Sequence, residues 1–139
     1  VYVMAQFLGA MGGVALAHVM FGRAVLEISG NDRLTTGTFV GEIVATAGLI
    51  AMILLLVQRG SASVIPLVVP AWIGAGYVFT SSTSFANPAV TLGRMFTDSF
   101  AGISPLSGLG FVAAQLVGIA VALALVIPVI TASKEKSDD

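Results

Sequence analysis

The chain has 139 residues, of which 57 % are hydrophobic and 9 % are charged, and its mean hydropathy is +1.02. Soluble domains carry about 25 % charged residues, so this composition predicts an integral membrane protein. The net charge of −1 gives no reason to expect a nucleic-acid partner, and with no cysteine, one histidine and few carboxylates we expect no metal, no cofactor and no catalytic residues.

The first predicted membrane span covers residues 1–21, about the 20 residues that a helix needs to cross a bilayer. Gln6, near its start, is expected either to hydrogen-bond a neighbouring helix or to face a cavity. His18, near its end, is interpreted either as a hydrogen-bonded histidine at the membrane interface or as a gating or pH-sensing residue. Small side chains at every fourth position predict a smooth face for packing against another helix: Ala5, Gly9, Gly13 and Ala17.

A polar connection, residues 22–36, precedes the second predicted span at residues 37–57, and Thr36 or Thr38 is expected to cap that helix. Glu42 lies about one turn inside this otherwise apolar helix. A carboxylate at that depth is expected to face the bundle interior, either as a proton or cation site or as an acceptor for backbone N–H groups. The second role is favoured, because irregular backbone inside a membrane must find hydrogen-bond partners.

The third predicted span covers residues 64–80, after a short hydrophilic turn at residues 58–63. Pro66 and Pro70 each remove a backbone hydrogen bond, so this helix is expected to start late or to be kinked. Trp72 falls too near the middle of the span for an interfacial position, and it is expected to pack or to line a pathway.

A polar run and a short helix follow at residues 80–97, between two apolar stretches. Asn87 is a favourable N-cap, and Pro88 fits the first helical position. A helix over residues 88–97 has only about two to three turns, too few to cross a bilayer, and is predicted to be a re-entrant half-helix. Its positive end should point to where residues 81–86 are buried. The last span is predicted at residues 109–130, followed by a polar tail, residues 131–139, expected to be disordered.

The stretch TSSTSFANPAV, with Asn87-Pro88-Ala89 between two hydrophobic spans, resembles the second signature loop of the aquaporin and glycerol-facilitator family (major intrinsic proteins). The resemblance covers essentially the whole chain and implies an all-α membrane protein with an aquaporin-like bundle, incomplete here, with four spans and one half-helix. An internal echo agrees, because residues 5–9 (AQFLG) recur 109 positions later as residues 114–118 (AQLVG). Such echoes indicate duplicated halves of opposite orientation. The chain is therefore interpreted as a fragment covering the third to sixth spans of a six-span family.

The resemblance implies a passive channel for water or small neutral solutes. Two half-helices would meet near the midplane of a complete channel, and their positive ends would exclude cations and protons. Asn87, Pro88 and Ala89 are the expected pore-lining motif, with the Asn87 amide as a donor and the carbonyls of residues 81–86 as acceptors. Glu42 is expected to support this loop.

The narrowest point of the pore is also implied by the resemblance, and this sequence departs from the family there. The family usually has an arginine three residues after the asparagine, where this chain has Val90. Carried over position by position, the constriction draws on Ala75, Ser84 and Val90, which predicts a wider and less polar opening. Arg94 lies one helical turn beyond Val90, and it is expected either to act as a displaced pore-lining cation or to be a surface arginine that pairs with Asp98 or reaches the headgroups.

Two other classes stay open, a secondary transporter with a discontinuous helix and a non-conducting membrane interaction fragment. The expected partners are the lipid bilayer, water or a small neutral solute and, by resemblance, three further copies in a homotetramer. The expected location is the cell membrane, as a multi-pass protein. Positive residues favour a cytoplasmic C-terminus, since Arg59, Lys134 and Lys136 fall on one side and Arg23 and Arg33 on the other.

Overall fold

The computed structural model describes residues 1–138, and it describes side chains through residue 133. Within that range the chain forms five α-helices: α1 (Tyr2–Met20), α2 (Thr36–Gln58), α3 (Ile65–Phe79), α4 (Pro88–Met95) and α5 (Pro105–Asp138). Four helical segments are apolar and long enough to cross a membrane: Tyr2–Met20, Thr36–Gln58, Ala62–Phe79 and Pro105–Ser133. The predicted all-α membrane fold with four spans and one short helix is confirmed.

Helix α2 begins with a reciprocal cap. The side chain of Thr35 accepts a hydrogen bond from the Thr38 backbone N–H at 3.1 Å, and the Thr35 N–H donates to the Thr38 side chain at 2.9 Å. The expectation that Thr36 or Thr38 is the N-cap is therefore wrong by one to three residues. The reciprocal pair needs a cap and a partner three positions apart, and Thr35 with Thr38 supplies that spacing.

Helix α3 accommodates both of its prolines. A 3-10 turn, Ala62–Val64, leads into the helix, Pro66 lies in the first turn, where no backbone N–H is needed, and Pro70 lies inside the helix. Trp72 packs α3 against α2: its indole Nε1 donates to the Ala45 carbonyl at 2.9 Å, and its ring lies directly over Gly48. Of the two roles expected for Trp72, the structure places it in packing.

Helix α5 is longer than the predicted span. It begins at Pro105 rather than Leu109 and continues past Ile130 to Asp138, so residues 131–138 are helical rather than disordered. Lysine and glutamate favour helix, which lets the polar end extend the apolar span. Residue 139 lies outside the described residues.

Two sets of contacts position the short helix α4. It packs against α1 and α5, while α2 packs along α5. A buried cluster lies beneath α4 and the segment that precedes it, formed by Phe85, Met95, Ile103 and Phe111. The rings of Phe85 and Phe111 meet edge to face, with their centroids 5.1 Å apart. This apolar cluster anchors a segment whose other side chains are mostly polar.

Candidate functional site

The segment between α3 and α4, residues 80–87, is a strained loop. Thr83, Ser84 and Ala86 have φ angles of 61°, 51° and 47°, in the left-handed region that residues with a Cβ rarely adopt. Such a backbone persists only where its surroundings hold it, and it is typical of functional sites. Helices α2 and α3 approach the loop closely at two glycines. A Cβ on Gly41 would lie 2.6 Å from the Ser81 hydroxyl, and a Cβ on Gly76 would lie 2.6 Å from the Cβ of Ser84.

The carboxylate of Glu42 binds the backbone of this loop. Its side chain is fully buried and accepts hydrogen bonds from the backbone N–H groups of Phe85, at 3.2 Å, and Ala86, at 2.5 Å. The Gln115 amide donates to the same carboxylate at 2.8 Å and to the Thr91 hydroxyl of α4 at 2.9 Å. Three N–H donors thus surround the carboxylate, so its hydrogen-bonding capacity is largely used by the protein itself.

Asn87 caps α4. Its side-chain oxygen accepts from the Ala89 N–H at 2.8 Å, and its backbone carbonyl accepts from the Thr91 hydroxyl at 2.9 Å. The first of these bonds turns the amide nitrogen away from the helix, and no described residue accepts from that nitrogen. The Asn87 amide is therefore a free donor at the positive end of α4.

A cavity of about 670 Å³ lies against the loop and the start of α4. The predicted site residues Ser84, Asn87, Pro88, Val90 and Arg94 all line it. Four residues that line the cavity each carry a buried side-chain nitrogen or oxygen without a hydrogen-bond partner among the described residues: Thr46, Ser84, Arg94 and Gln115. Buried polar groups are normally paired, so this concentration marks a space suited to water or a polar solute.

The loop carbonyls add acceptors to this space. The carbonyl oxygens of residues 82–86 accept no hydrogen bond from any described residue, whereas the N–H groups of Phe85 and Ala86 are bound by Glu42. Ser84, Phe85 and Ala86 border the cavity. Unpaired backbone carbonyls inside an apolar bundle need a partner, which a hydrated path supplies.

Two of the predicted pore-lining residues do not reach the cavity. Ala89 is buried inside α4's packing, with 4 % of its surface exposed. Ala75 lies on another side of α3: Ile73 and Tyr77, each two positions from it, line the cavity instead. Residues two apart on a helix point about 200° apart, so Ala75 and these two cannot share a face.

Arg94 does not pair with Asp98, whose carboxylate accepts from the Gly30 N–H at 3.1 Å. It donates instead to the Tyr77 hydroxyl, and its guanidinium carbon lies 4.3 Å from the centre of the Phe85 ring. The surface pairing expected as one alternative for Arg94 is therefore wrong in the described structure. The expectation failed because Asp98 follows the end of α4 at Met95, so the four-residue helical spacing does not apply.

Sequence reasoning missed Arg33, which reaches the loop from the α1–α2 connection. Its guanidinium donates to the Thr83 hydroxyl at 3.1 Å and lies 5.3 Å from the centre of the Phe85 ring. Burial lowers the pKa of Arg33, and the positive charge of Arg94 lowers it further. Nothing in the local sequence pointed to this contact, since it joins residues 50 positions apart.

His18 lies outside this cavity network. One ring nitrogen is 2.5 Å from the Ala24 carbonyl and the other is 2.7 Å from the Thr97 hydroxyl, and the residue is 3 % exposed. It therefore ties the end of α1 to the end of α4. The small residues Gly9, Gly13 and Ala17 do not pack tightly there, because they line a second cavity of about 360 Å³ between α1 and α4.

Comparison with known proteins finds a curated relative of this chain. Over 124 residues the chain is 48 % identical to "Aquaglyceroporin AqpS" of Rhizobium meliloti (strain 1021). The alignment covers 89 % of this chain and 53 % of AqpS, so the chain spans about half the length of the curated relative it matches. No family model matches the chain, and no solved structure matches it.

Proposed function

Since the chain belongs to the aquaporin and glycerol-facilitator family, we propose that it contributes half of a passive channel for water and small neutral solutes. The solute path runs through the cavity beside Asn87. The half-helix α4 lines that path with Asn87, Pro88 and Val90, and its positive end opposes the entry of cations and protons.

The observation that carries this proposal is the grouping of free polar atoms around one cavity. The Asn87 amide is a free donor, and the loop carbonyls of residues 82–86 are free acceptors. The four buried side-chain atoms without partners belong to residues of the same cavity. A neutral molecule with hydroxyl groups can exchange its water hydrogen bonds for these, whereas an ion would lose hydration that they do not replace.

Glu42 acts as the structural support of the loop in this proposal. By binding the N–H groups of Phe85 and Ala86, it leaves the carbonyls of the same stretch directed elsewhere, toward the path. A coupling role in a secondary transporter would require the carboxylate to change partners during transport. Its three N–H partners support the structural role.

We propose glycerol-sized neutral solutes, together with water, as the substrates. Val90 stands where the family usually places an arginine, and it is 36 % exposed. The side chain that lines the path at this position is therefore apolar and short. The relative's printed name, aquaglyceroporin, supports the same solute class.

The assembly is proposed by family resemblance as a homotetramer in the cell membrane, with the C-terminus in the cytoplasm. The exposed apolar surface of α1, which includes Leu8, Leu16 and Val19, suits contact with lipid or other helices. Chemical cross-linking of native membranes would test the tetramer by the largest cross-linked species.

The experiment that tests the function is stopped-flow light scattering of vesicles that carry the full-length protein, under water and glycerol gradients. We expect downhill flux of both, unaffected by collapsing sodium and proton gradients. Val90→Arg adds a guanidinium and bulk to the path and is expected to lower glycerol flux roughly tenfold while water still passes. Val90→Ala, which keeps the wall apolar, serves as the control and should retain glycerol flux.

Two results would contradict the proposal. Flux that requires an ion gradient would indicate a transporter, and no flux at all would indicate a structural fragment. Water flux without glycerol flux, unchanged in Val90→Arg, would contradict the solute class alone and would show that Ser84 and Val90 do not set the selectivity.

A further inference from the structure

The hydrogen bonds around Asn87 form a closed ring of side chains. The carboxylate of Glu42 accepts from the Ala86 N–H and from the Gln115 amide, the latter at 2.8 Å. The same Gln115 nitrogen also donates to the Thr91 hydroxyl at 2.9 Å, and that hydroxyl donates to the Asn87 carbonyl at 2.9 Å. Because Ala86 directly precedes Asn87, the ring leaves the chain on one side of Asn87 and returns on the other.

Every bond in this ring has one possible direction. An ionised carboxylate and a carbonyl can only accept, and an amide NH₂ group can only donate, so the nitrogen of Gln115 must face Glu42. The Thr91 hydroxyl receives one hydrogen from Gln115 and has one hydrogen of its own, which the Asn87 carbonyl accepts. The order of donors from Gln115 through Thr91 to Asn87 therefore holds only while these groups keep their chemical type.

The side chains that carry this order are shielded from water. Glu42 and Thr91 have no exposed surface, and Gln115 has 1 %. At a buried site water does not replace a hydrogen bond that is lost, so removing one member leaves its partner unpaired. Thr91 does not line the Asn87 cavity, so any effect of its hydroxyl on a solute passes through the groups that it binds.

Asn87 is held through both its backbone and its side chain. Its carbonyl accepts from the Thr91 N–H at 3.0 Å, as the first bond of α4, and from the Thr91 hydroxyl as a second donor. Its side-chain oxygen accepts from the Ala89 N–H at 2.8 Å. With both oxygens bound, the amide nitrogen of Asn87 is held in a single direction.

We propose that Gln115 and Thr91 are positioning residues, which set the direction in which the Asn87 amide nitrogen meets a passing solute. This inference rests on the proposed channel function, and it assigns part of the solute preference to side chains that do not touch the solute. A glycerol-sized molecule carries hydroxyl oxygens in a fixed arrangement, so it must meet the donor at a defined angle, whereas a water molecule reorients freely. A misdirected donor therefore slows glycerol more than water.

The test compares glycerol flux with water flux through the full-length protein in vesicles, by stopped-flow light scattering. The ratio of the two does not depend on how many channels are folded, so a merely structural loss leaves it unchanged. Thr91→Val replaces the hydroxyl by a methyl group and is expected to lower the ratio roughly fivefold, the factor of one hydrogen bond of ordinary net strength. Thr91→Ser keeps the hydroxyl and should restore the ratio.

Thr131→Val is the matched control. The Thr131 hydroxyl donates to the Ile127 carbonyl at 3.1 Å, which is the same contact with the residue four positions earlier that Thr91 makes. Thr131 is exposed and binds no other described side chain. This substitution removes an equivalent bond outside the ring, so the flux ratio should stay at the value of the unmodified protein.

A double-mutant cycle tests whether the two positioning residues act as one chain. Gln115→Met removes the amide donors and keeps a side chain of similar length, so it should also lower the ratio. Adding Thr91→Val to it should cause no further fall, because the Thr91 hydroxyl loses its fixed direction once Gln115 is gone. Effects that multiply in the double variant would mean that the residues act independently, and the inference would be wrong.

The outcomes separate this inference from the proposed function. If the unmodified protein passes neither water nor glycerol, both are wrong. If it passes both and Thr91→Val leaves the ratio unchanged, the channel stands and the positioning role is wrong. Should Thr91→Val or Gln115→Met fail to fold, the other variant decides, and an unchanged ratio there overturns the inference.

A protein that passes water alone would contradict the proposed solute class and would still allow the test. The temperature dependence of water flux then takes the place of the ratio, since it too does not depend on the number of folded channels. A steeper dependence in Thr91→Val than in the unmodified protein supports the positioning role, and an equal dependence overturns it.

Discussion

Glu42 is the residue on which the geometry of the candidate site most depends. It joins two helices and a loop through one carboxylate, because its N–H donors come from Phe85, Ala86 and Gln115. A neutral amide in its place would present an NH₂ group to one of these donors, so at least one hydrogen bond would be lost. An unpaired donor at a buried site costs about 1–3 kcal/mol, and more where the lost acceptor was charged.

We therefore expect Glu42→Gln to lower the free energy of unfolding by about 2–4 kcal/mol and to abolish water flux. Thermal unfolding of the detergent-solubilised protein and vesicle permeability measure the two effects. Glu27→Gln is the control, since Glu27 pairs with Arg23 at the exposed connection and its loss should cost under about 1 kcal/mol. A Glu42→Gln protein of normal stability and flux would show that the loop does not need the carboxylate.

At the scale of elements, α3 and the loop pack closely because Gly76 of α3 has no side chain. A Cβ on Gly76 would lie 2.6 Å from both the Cβ and the hydroxyl oxygen of Ser84. The hydroxyl could rotate away, but the Cβ of Ser84 could move only with the backbone. Ser84 is itself in the left-handed region, so it has little freedom to move. The loop's position therefore depends on a glycine in the neighbouring helix.

Gly76→Ala is expected to destabilise the protein by about 1–3 kcal/mol through overpacking and to reduce solute flux, since Ser84 borders the cavity. Gly74→Ala makes the same change two positions away in the same helix, where nothing lies within 4 Å of the added Cβ. That control should be neutral or slightly stabilising, because alanine favours helix. Equal effects of the two substitutions would mean that an added methyl group destabilises α3 for a reason unrelated to the loop.

For the whole molecule, the described residues leave the candidate path open on one side. Helix α1 packs against α4 and against no other helix within residues 1–138. Gln6 of α1 lines the Asn87 cavity while being exposed. We therefore expect that the four spans by themselves do not enclose a pore.

We expect the 139-residue chain, reconstituted alone, to leave the water permeability of vesicles at the level of empty vesicles. Light scattering measures both preparations, and circular dichroism confirms that the short chain is helical. Raised permeability from the 139 residues alone would contradict this expectation and would point to closure by self-association.

Much of the architecture followed from the sequence. The four apolar stretches predicted four spans because a bilayer demands about 20 apolar residues per crossing. Asn87 and Pro88 predicted the start of α4 because cap and proline preferences are local properties of the backbone. Errors appeared where local preferences allow several choices, as with the cap at Thr35 and the start of α5 at Pro105.

What only the tertiary structure decided is which residues meet. The sequence by itself determined the membrane class, the spans and the polar half-helix, since those depend on composition and short-range patterns. The position of Ala75 away from the cavity and the meeting of Arg33 with Arg94 on Phe85 depend on how the helices are rotated and how the connection folds back. Such contacts join positions far apart in the chain, and packing of the whole bundle determines them.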